Sequence, residues 1–236
     1  MGLLLGIETS SRCCSVALGD EHHIEELVEE RPREHHARVL PMVAELLERL
    51  GVALTDLDAI AFGRGPGSFT GLRIAASVVQ GLAFGSGLPV IAVSSLEALA
   101  LRALEGLGDD PSWCERVLVA IDAHMGEVYW ARYCLRAGEI QSEAIDQLDR
   151  VGAFHAAMSQ CPREGTLLAG DAWNAYPELP CAGWRLDSGA FAGARQVLLL
   201  ASRVSRSEWV MAEQAEPLYL RTASVWKKVE EQSRKD

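Results

Sequence analysis

Apolar and polar positions in the first fifty residues predict three strands followed by a helix. Leu3 to Ile7 is a short apolar run, and Cys14 to Leu18 alternates like a second strand paired with it. His22 to Glu30 predicts a third, more exposed strand. From Glu34 to Leu50 the apolar residues recur at the spacing of one helix face, and Gly51 ends this helix. The recurring positions are Val39, Leu40, Val43, Leu46, Leu47 and Leu50.

A strand, a glycine-rich loop and a second helix follow. Ala59 to Phe62 is a short apolar strand, and Thr70 to Phe84 is predicted to be helical. From Phe62 to Arg73 the chain reads Phe-Gly-Arg-Gly-Pro-Gly-Ser-Phe-Thr-Gly-Leu-Arg, and the glycines in it free the backbone to turn tightly. The helix is apolar or small on every side, which predicts burial on two faces, one against the core and one against another subunit.

The uncharged stretch from Ile74 to Leu96 is long enough to span a membrane, but glycine and proline divide it. The turn residues from Gly85 to Pro89 separate the helix from a strand at Val90 to Val93. Ser94 and Glu97 then have the spacing of a capping box, which predicts the start of a further helix. We therefore predict helix, turn and strand here, and no membrane contact.

The pattern of the first strands restarts after a linker at Gly106 to Trp113. Val117 to Ile121 is an apolar strand followed by Asp122, and Glu127 to Tyr133 is a returning strand. With an offset of 114 residues, Gly6-Ile7-Glu8 falls on Ala120-Ile121-Asp122 and Val16-Ala17-Leu18 on Trp130-Ala131-Arg132. A helix near 152–160, a strand at 166–169 and a helix near 191–203 complete this part. We predict an α/β fold of two similar halves facing a cleft, with residues 1–107 in the first half and 114–236 in the second.

Length and composition limit the class of protein. The 236 residues, of which 49% are hydrophobic, can bury a large core. A formal net charge of -11 opposes binding to polyanionic phosphate, so we expect any nucleic acid to be held by a partner. Six cysteines without a CxxC pair, and no signal peptide, predict reduced thiols in the cytoplasm rather than disulfides or a zinc site.

The glycine-rich loop is the main candidate for binding chemistry. A turn from strand into helix points free N–H groups at whatever lies above it, so Gly65, Gly67 and Ser68 are candidate contacts for an anion or a nucleotide. A tight turn that packs the helix close to a sheet is the alternative, because no P-loop lysine follows. The adjacent histidines at 22–23 and 35–36 match no usual ligand spacing, which predicts surface histidines rather than a metal site.

Several segments together resemble one protein family. They are Gly6-Ile7-Glu8-Thr9-Ser10, Pro32-Arg33-Glu34-His35, Leu40-Pro41-Met42, the glycine-rich run, Ile121-Asp122-Ala123, Gly126-Glu127-Val128-Tyr129-Trp130 and Ala215-Glu216-Pro217-Leu218-Tyr219-Leu220-Arg221. The chain looks like the TsaB family, also called YeaZ, over nearly its whole length. The resemblance implies the duplicated actin-like/sugar-kinase (ASKHA) fold and a subunit that works with TsaD and TsaE. Together these proteins put threonylcarbamoyl on the adenosine beside the anticodon in tRNAs that read codons beginning with adenine.

The resemblance also implies that this chain is not itself catalytic. The catalytic relative TsaD carries metal-binding histidines in a pattern like Val-Asn-His-x-Glu-Gly-His, and Ser95 and Leu99 stand at the two histidine positions here. Glu8 and Asp122 end the first strand of each half, where actin-like ATPases keep carboxylates for Mg²⁺ and water, so both are further candidate contacts for a nucleotide or an anion. Strand-end carboxylates bonded to neighbouring backbone are the alternative. We expect no metal and no stably bound cofactor on this chain, ATP and metal on partner subunits, and tRNA bound only through the complex.

A partner surface is predicted on the helices at Glu34 to Leu50 and Thr70 to Phe84. Small residues there let another helix approach closely, so TsaD, or a second copy of this chain when TsaD is absent, is the expected partner. The predicted contact residues are Val39, Val43, Leu46, Leu72, Ala75, Ala76, Val79 and Ala83. Ordinary core packing of these residues is the alternative. Two rival functions stay open, a stand-alone actin-like ATPase or small-molecule kinase and a glycoprotease-like peptidase, although the chain has no Gly-x-Ser-x-Gly elbow.

Overall fold

The computed structural model describes residues 2–31, 33–108, 112–136 and 139–221. The first half contains strands β1 (Leu4–Glu8), β2 (Cys14–Gly19), β3 (Ile24–Glu29), β4 (Ala59–Gly65) and β5 (Val90–Ser94), and helices α1 (His35–Leu50), α2 (Phe69–Ser86) and α3 (Ser95–Glu105). The strands form a mixed sheet in the order β3-β2-β1-β4-β5. All eight elements were predicted from the sequence pattern, and their ends differ from the prediction by a few residues at most.

The second half contains a six-stranded sheet and three helices. Its elements are β6 (Arg116–Asp122), β7 (Glu127–Arg136), β8 (Glu139–Ser142), β9 (Gln147–Arg150), α4 (Val151–Met158), β10 (Thr166–Ala169), α5 (Ala172–Ala175), β11 (Arg185–Asp187) and α6 (Ala194–Ala201). The strand order is β11-β10-β6-β7-β8. Strand β7 is long enough to pair with two short strands, with β9 along residues 127–130 and with β8 along residues 133–136. Short 3-10 turns lie at Leu54–Asp56, Arg206–Glu208 and Ala212–Gln214.

The two sheets share one topology. In the first, β1 is antiparallel to β2 and parallel to β4; in the second, β6 is antiparallel to β7 and parallel to β10. This confirms the predicted duplication, but the predicted overlay of the second strands is wrong by one residue. The ladders pair Ile7 with Val16 and Ile121 with Tyr129, so Tyr129 rather than Trp130 is equivalent to Val16. The reason is that the turn of the second hairpin is one residue shorter than that of the first.

The elements stack in five layers. Helices α1 and α2 cover the outer face of the first sheet, α3 and α6 lie between the sheets, and α4 and α5 cover the outer face of the second sheet. Strand β1 shows the basis of this layering, because Leu4 packs towards the middle layer and Leu5 and Ile7 towards α1 and α2. Helix α6 lies late in the chain yet packs against β1 and β2. Within the described ranges, no helix has the length and hydropathy needed to cross a bilayer.

Candidate functional site

A cleft of about 780 Å³ opens between the two halves. It is lined by the segments that follow β1 and β6, by the N-terminal end of α2, and by residues 190–192 ahead of α6. The polar side chains that line it include Ser10, Arg12, His35, Ser68, Thr70, Asp122, His124, Asp171 and Arg221. Of the five predicted anion or nucleotide contacts, Gly67, Ser68 and Asp122 line this cleft, whereas Glu8 and Gly65 do not.

The glycine-rich loop is packed tightly against the segment that follows β1. A Cβ atom added to Gly71 would lie 1.9 Å from the carbonyl oxygen of Thr9, and one added to Gly67 would lie 2.6 Å from that of Ser10. The backbone N–H of Ser68 donates to the carbonyl of Ser10 at 2.8 Å, and the Thr9 hydroxyl donates to the carbonyl of Gly71 at 2.8 Å. The geometry therefore accounts for two of the glycines by close packing, and anion binding by this loop stays a prediction.

Glu8 is fully buried and serves as an internal acceptor. Its Oε1 accepts from the backbone N–H of Ser10 at 2.6 Å, and its Oε2 accepts from the hydroxyl of Ser95 at 2.7 Å. The Ser95 oxygen in turn accepts from the N–H of Gly65 at 3.1 Å. Burial raises the pKa of Glu8, although these hydrogen bonds act in the opposite direction. Glu8 thus ties the ends of β1, β4 and β5 together and offers no carboxylate to the cleft.

Asp122 faces the cleft, but its carboxylate is bound by His124 of its own turn and by Tyr176. Its Oδ1 accepts from the N–H of His124 at 2.7 Å and from the Tyr176 hydroxyl at 2.6 Å, and its Oδ2 lies 2.8 Å from Nδ1 of His124. Asp171 accepts from the backbone N–H of Asp122 at 2.9 Å. Burial and the contact with Asp122 raise the pKa of Tyr176 to about 12. Since Glu8 is buried elsewhere, the two strand-end carboxylates form no acid–base pair across the cleft.

The positions at which TsaD has metal-binding histidines do not suit a metal here. Ser95 and Leu99 reach the cleft wall, yet both are nearly fully buried. The Ser95 hydroxyl is already engaged with Glu8 and Gly65, and Leu99 packs in the middle core layer. Among residues 2–31, 33–108, 112–136 and 139–221, no three histidine, cysteine, aspartate or glutamate side chains are grouped so that they could hold a metal ion.

The structure corrects the choice of contact residues on α1 and α2. All eight predicted residues are buried: Val39, Val43, Leu46, Leu72, Ala75, Ala76, Val79 and Ala83. All except Leu72 belong to the core cluster on the outer face of the first sheet. The sequence pattern could not separate the two faces of α2 because both are apolar. The outward face of the pair instead carries Leu40 on α1, 49% exposed, and Phe84 on α2, 75% exposed. Ile74, Val78 and Leu82 lie half-buried along its edge.

Other residues at the cleft were missed because nothing in their sequence neighbourhood distinguishes them. Tyr176 and Asp171 hold Asp122 from positions 54 and 49 residues away. The guanidinium of Arg221 donates to the carbonyl of Ala123 at 2.8 Å and to the Glu127 carboxylate. Arg221 belongs to the 215–221 segment, which carries part of the family resemblance, but the resemblance does not indicate what the Arg221 side chain contacts.

The Ser94–Glu97 capping box is half formed. The Ser94 oxygen accepts from the N–H of Glu97 at 3.3 Å, as predicted. Its hydroxyl also donates to Asp146, a residue of the second half, at 2.9 Å. Burial and the neighbouring Asp146 raise the pKa of Glu97, and burial raises the pKa of Asp146. The Ser94 side chain therefore links the two halves as well as capping α3.

Comparisons with known proteins agree with this fold. A family model described as "TsaD: tRNA N6-adenosine threonylcarbamoyltransferase" matches residues 28–194. The tRNA threonylcarbamoyladenosine biosynthesis protein TsaB of Escherichia coli (strain K12) is 40% identical over 231 residues, which cover 96% of this chain and 97% of that protein. The protein of the same name from Haemophilus influenzae is 38% identical over 235 residues, which cover 96% of both chains.

A solved structure matches over the same extent. YeaZ from Pseudomonas aeruginosa is 44% identical and superimposes with a TM-score of 0.81, covering 93% of this chain and 100% of that chain. This agreement and the repeated strand order confirm the predicted actin-like/sugar-kinase fold. The chain belongs to the TsaB (YeaZ) family of tRNA threonylcarbamoyladenosine biosynthesis proteins.

Proposed function

We propose that this chain is a non-catalytic subunit that acts with TsaD and TsaE. Together they transfer threonylcarbamoyl to the adenosine next to the anticodon in tRNAs that read codons beginning with adenine. The observation that carries the proposal is the state of Ser95 and Leu99, because neither a hydrogen-bonded hydroxyl nor a core leucine can hold the metal of an acyl-transfer site. The internal use of Glu8 and the commitment of Asp122 to its turn support the same conclusion.

The outward face of α1 and α2 is our proposed docking surface for TsaD. Gly81 and Gly85 lie exposed on α2, and a Cβ atom at either position would meet no atom within 4 Å. Glycine costs a helix about 0.5–1 kcal/mol relative to alanine, and no contact among the described residues explains these two glycines. Close approach by a helix of another subunit would explain them. A second copy of this chain would use the same face, so a homodimer and the TsaD complex would compete.

ATP and metal belong to the partner subunits in this proposal, and the chain works in the cytoplasm without binding a membrane. tRNA is held by the assembled complex, because the net charge of -11 opposes phosphate binding by this chain alone. The rival functions need a group that the cleft does not offer. A kinase or ATPase of this fold needs a free strand-end carboxylate, and a peptidase needs an activated nucleophile.

Reconstitution tests the proposal. Purified TsaD and TsaE are incubated with tRNA, ATP and the threonylcarbamoyl donor, with and without this chain, and the modified nucleoside is measured by mass spectrometry. We expect modification only when this chain is present, and none when this chain replaces TsaD. Full activity without this chain, or activity of this chain without TsaD, would overturn the proposal.

A further inference from the structure

Residues 215–221 form a strap that crosses from the first half to the second. On the first half, the Gln80 side chain donates to the carbonyl of Ala215 at 3.0 Å, and the N–H of Leu218 donates to the carbonyl of Arg64 at 2.7 Å. On the second half, Arg221 donates to the carbonyl of Ala123 at 2.8 Å. The strap therefore runs along the cleft, and Arg221 lines the cleft itself.

The strap gathers three large apolar side chains that the fold leaves exposed. Phe69 is 54% exposed and Tyr219 is 44% exposed, and their ring centroids lie 5.5 Å apart with an angle of 48° between the ring planes. Met125 is 74% exposed, and its sulfur lies 3.8 Å from a guanidinium nitrogen of Arg221. These three residues come from α2, the strap and the β6–β7 turn. Phe69 and Tyr219 thus bring distant parts of the chain together in one exposed rim, and Phe69 also lines the cleft.

An arginine without an acidic partner completes this rim. The Arg73 guanidinium carbon lies 3.8 Å from the centroid of the Phe69 ring, and its Nε donates to the Tyr219 hydroxyl at 3.4 Å. Within the described part of the chain, Arg73 forms no ion pair with a carboxylate. An exposed cation with no carboxylate beside it, in a chain of net charge -11, marks a local surface that favours an anion.

We propose that Phe69, Arg73 and Tyr219, here called the aromatic rim, contact single-stranded RNA in the anticodon loop of the tRNA. Unpaired bases stack on aromatic rings and guanidinium planes, and an arginine beside the rings neutralises the adjoining phosphate. A protein surface with an apolar patch and a carboxylate is the other occupant that these groups could take, and the affinity for TsaD measured without RNA separates the two. The inference rests on the proposed function, since it names the part of this chain that meets the substrate of the complex.

The aromatic rim is too small to hold RNA alone. It offers one or two stacking rings and one phosphate contact, and the overall charge of the chain opposes RNA. Inside the complex, TsaD and TsaE hold the tRNA, so the contact becomes intramolecular and gains from a high effective concentration. The rim thus adds affinity only after assembly.

The test measures binding of a fluorescent anticodon stem-loop to the assembled complex of this chain with TsaD and TsaE, at several salt concentrations. We expect Phe69→Ala to weaken binding about five- to a hundredfold, from the loss of one stacked base, and Phe69→Trp to restore it. Arg73→Gln should reduce the slope of log K against log salt by about 0.7, the value for one phosphate of a single strand.

Two matched variants control for exposure and charge. Ile145→Ala removes a large apolar side chain that is 84% exposed in the second half, and Arg163→Gln removes an exposed arginine 6.0 Å from the Trp184 ring in the same half. Both should leave RNA binding and its salt slope unchanged. Affinity for TsaD is measured without RNA for every variant.

Two results would overturn the inference. One is unchanged RNA binding by complexes that contain Phe69→Ala or Arg73→Gln. The other is a loss of RNA binding fully explained by weaker association with TsaD, which would make the rim a protein contact. Failure of the wild-type chain to assemble with TsaD or to support modification is a separate outcome, because it refutes the proposed function before any variant is compared.

Discussion

Gly81→Ala should make the free chain more stable and its complex with TsaD weaker. Gly81 is exposed in the interior of α2, five residues before its end at Ser86. A Cβ atom there meets no atom within 4 Å, so alanine introduces no clash in the free chain. The substitution removes the conformational freedom that glycine adds to the unfolded chain, which stabilises the helix.

The magnitudes follow from these contacts. Alanine in place of an exposed helix glycine contributes about 0.5–1 kcal/mol, and for a domain of this size that raises the melting temperature by about 1–4 °C. If a helix of TsaD packs over Gly81, the added methyl group overpacks the interface. Overpacking costs about 1–3 kcal/mol, which corresponds to a loss of affinity of about five- to a hundredfold.

Two measurements separate these effects. Thermal unfolding of the free chain by circular dichroism gives the stability change, and titration calorimetry with TsaD gives the affinity. Ser77→Ala is the matched control, since Ser77 is exposed one turn earlier on α2 and the change improves helix propensity without adding volume. The control should stabilise the chain and leave TsaD binding close to wild type.

A Gly81→Ala chain that is more stable and binds TsaD as tightly as the wild type would refute the reasoning. It would mean that no helix approaches α2 closely at this position, and the docking surface would have to lie elsewhere. A destabilised free chain would refute the structural premise instead, because it would mean that the Cβ position is not open.

Three further outcomes are expected. The isolated chain should release no phosphate from ATP above background; turnover that Asp122→Ala abolishes would contradict this. The isolated chain should give no tRNA gel shift at physiological salt, because of its net charge of -11, and a tight, salt-sensitive shift would be the contrary result. Glu97→Gln should stabilise the chain near pH 7 and have little effect near pH 4 in denaturant unfolding. Burial and Asp146 raise the pKa of Glu97 in the folded state above its value in the unfolded chain, so stability is lost as the pH rises from the unfolded-state pKa through the folded-state pKa. A constant difference between variant and wild type across pH would exclude this cause.

The sequence was sufficient to predict the strands and helices whose hydrophobic pattern is strong. An apolar run or stripe that fits only a strand or only a helix is present in strands β1, β2, β6 and β10 and in helix α1. The short strands β8, β9 and β11 and helix α5 were missed. They are three or four residues long, and the three strands are largely exposed or half-buried, so their hydrogen-bonded neighbours rather than their own pattern define them.

The candidate site was less predictable, because identical local patterns have different surroundings. Glu8 and Asp122 both end the first strand of a half, yet only Glu8 is fully buried. The difference comes from Ser95, which lies 87 residues beyond Glu8, and from Tyr176, which lies 54 residues beyond Asp122. On α2, both stripes are apolar, so the sheet beneath the helix decides which one is core. Local periodicity holds no information about contacts at these separations.

Two conformational costs in this chain fall at exposed residues, one of them at the edge of the cleft. His124 and Met125 adopt left-handed backbone conformations, each with φ of 60°, which costs a residue other than glycine about 1–2 kcal/mol. Asp122 and Arg221 hold this turn, and both of its side chains project to solvent. The exposed glycines of α2 are a second cost, and no contact among the described residues offsets it. The two strand-end carboxylates, by contrast, are satisfied by hydrogen bonds within the chain, Glu8 in the interior and Asp122 at the cleft. We therefore expect partners to contact the exposed turn and the exposed glycines, where contact would offset a cost that the described residues leave uncompensated.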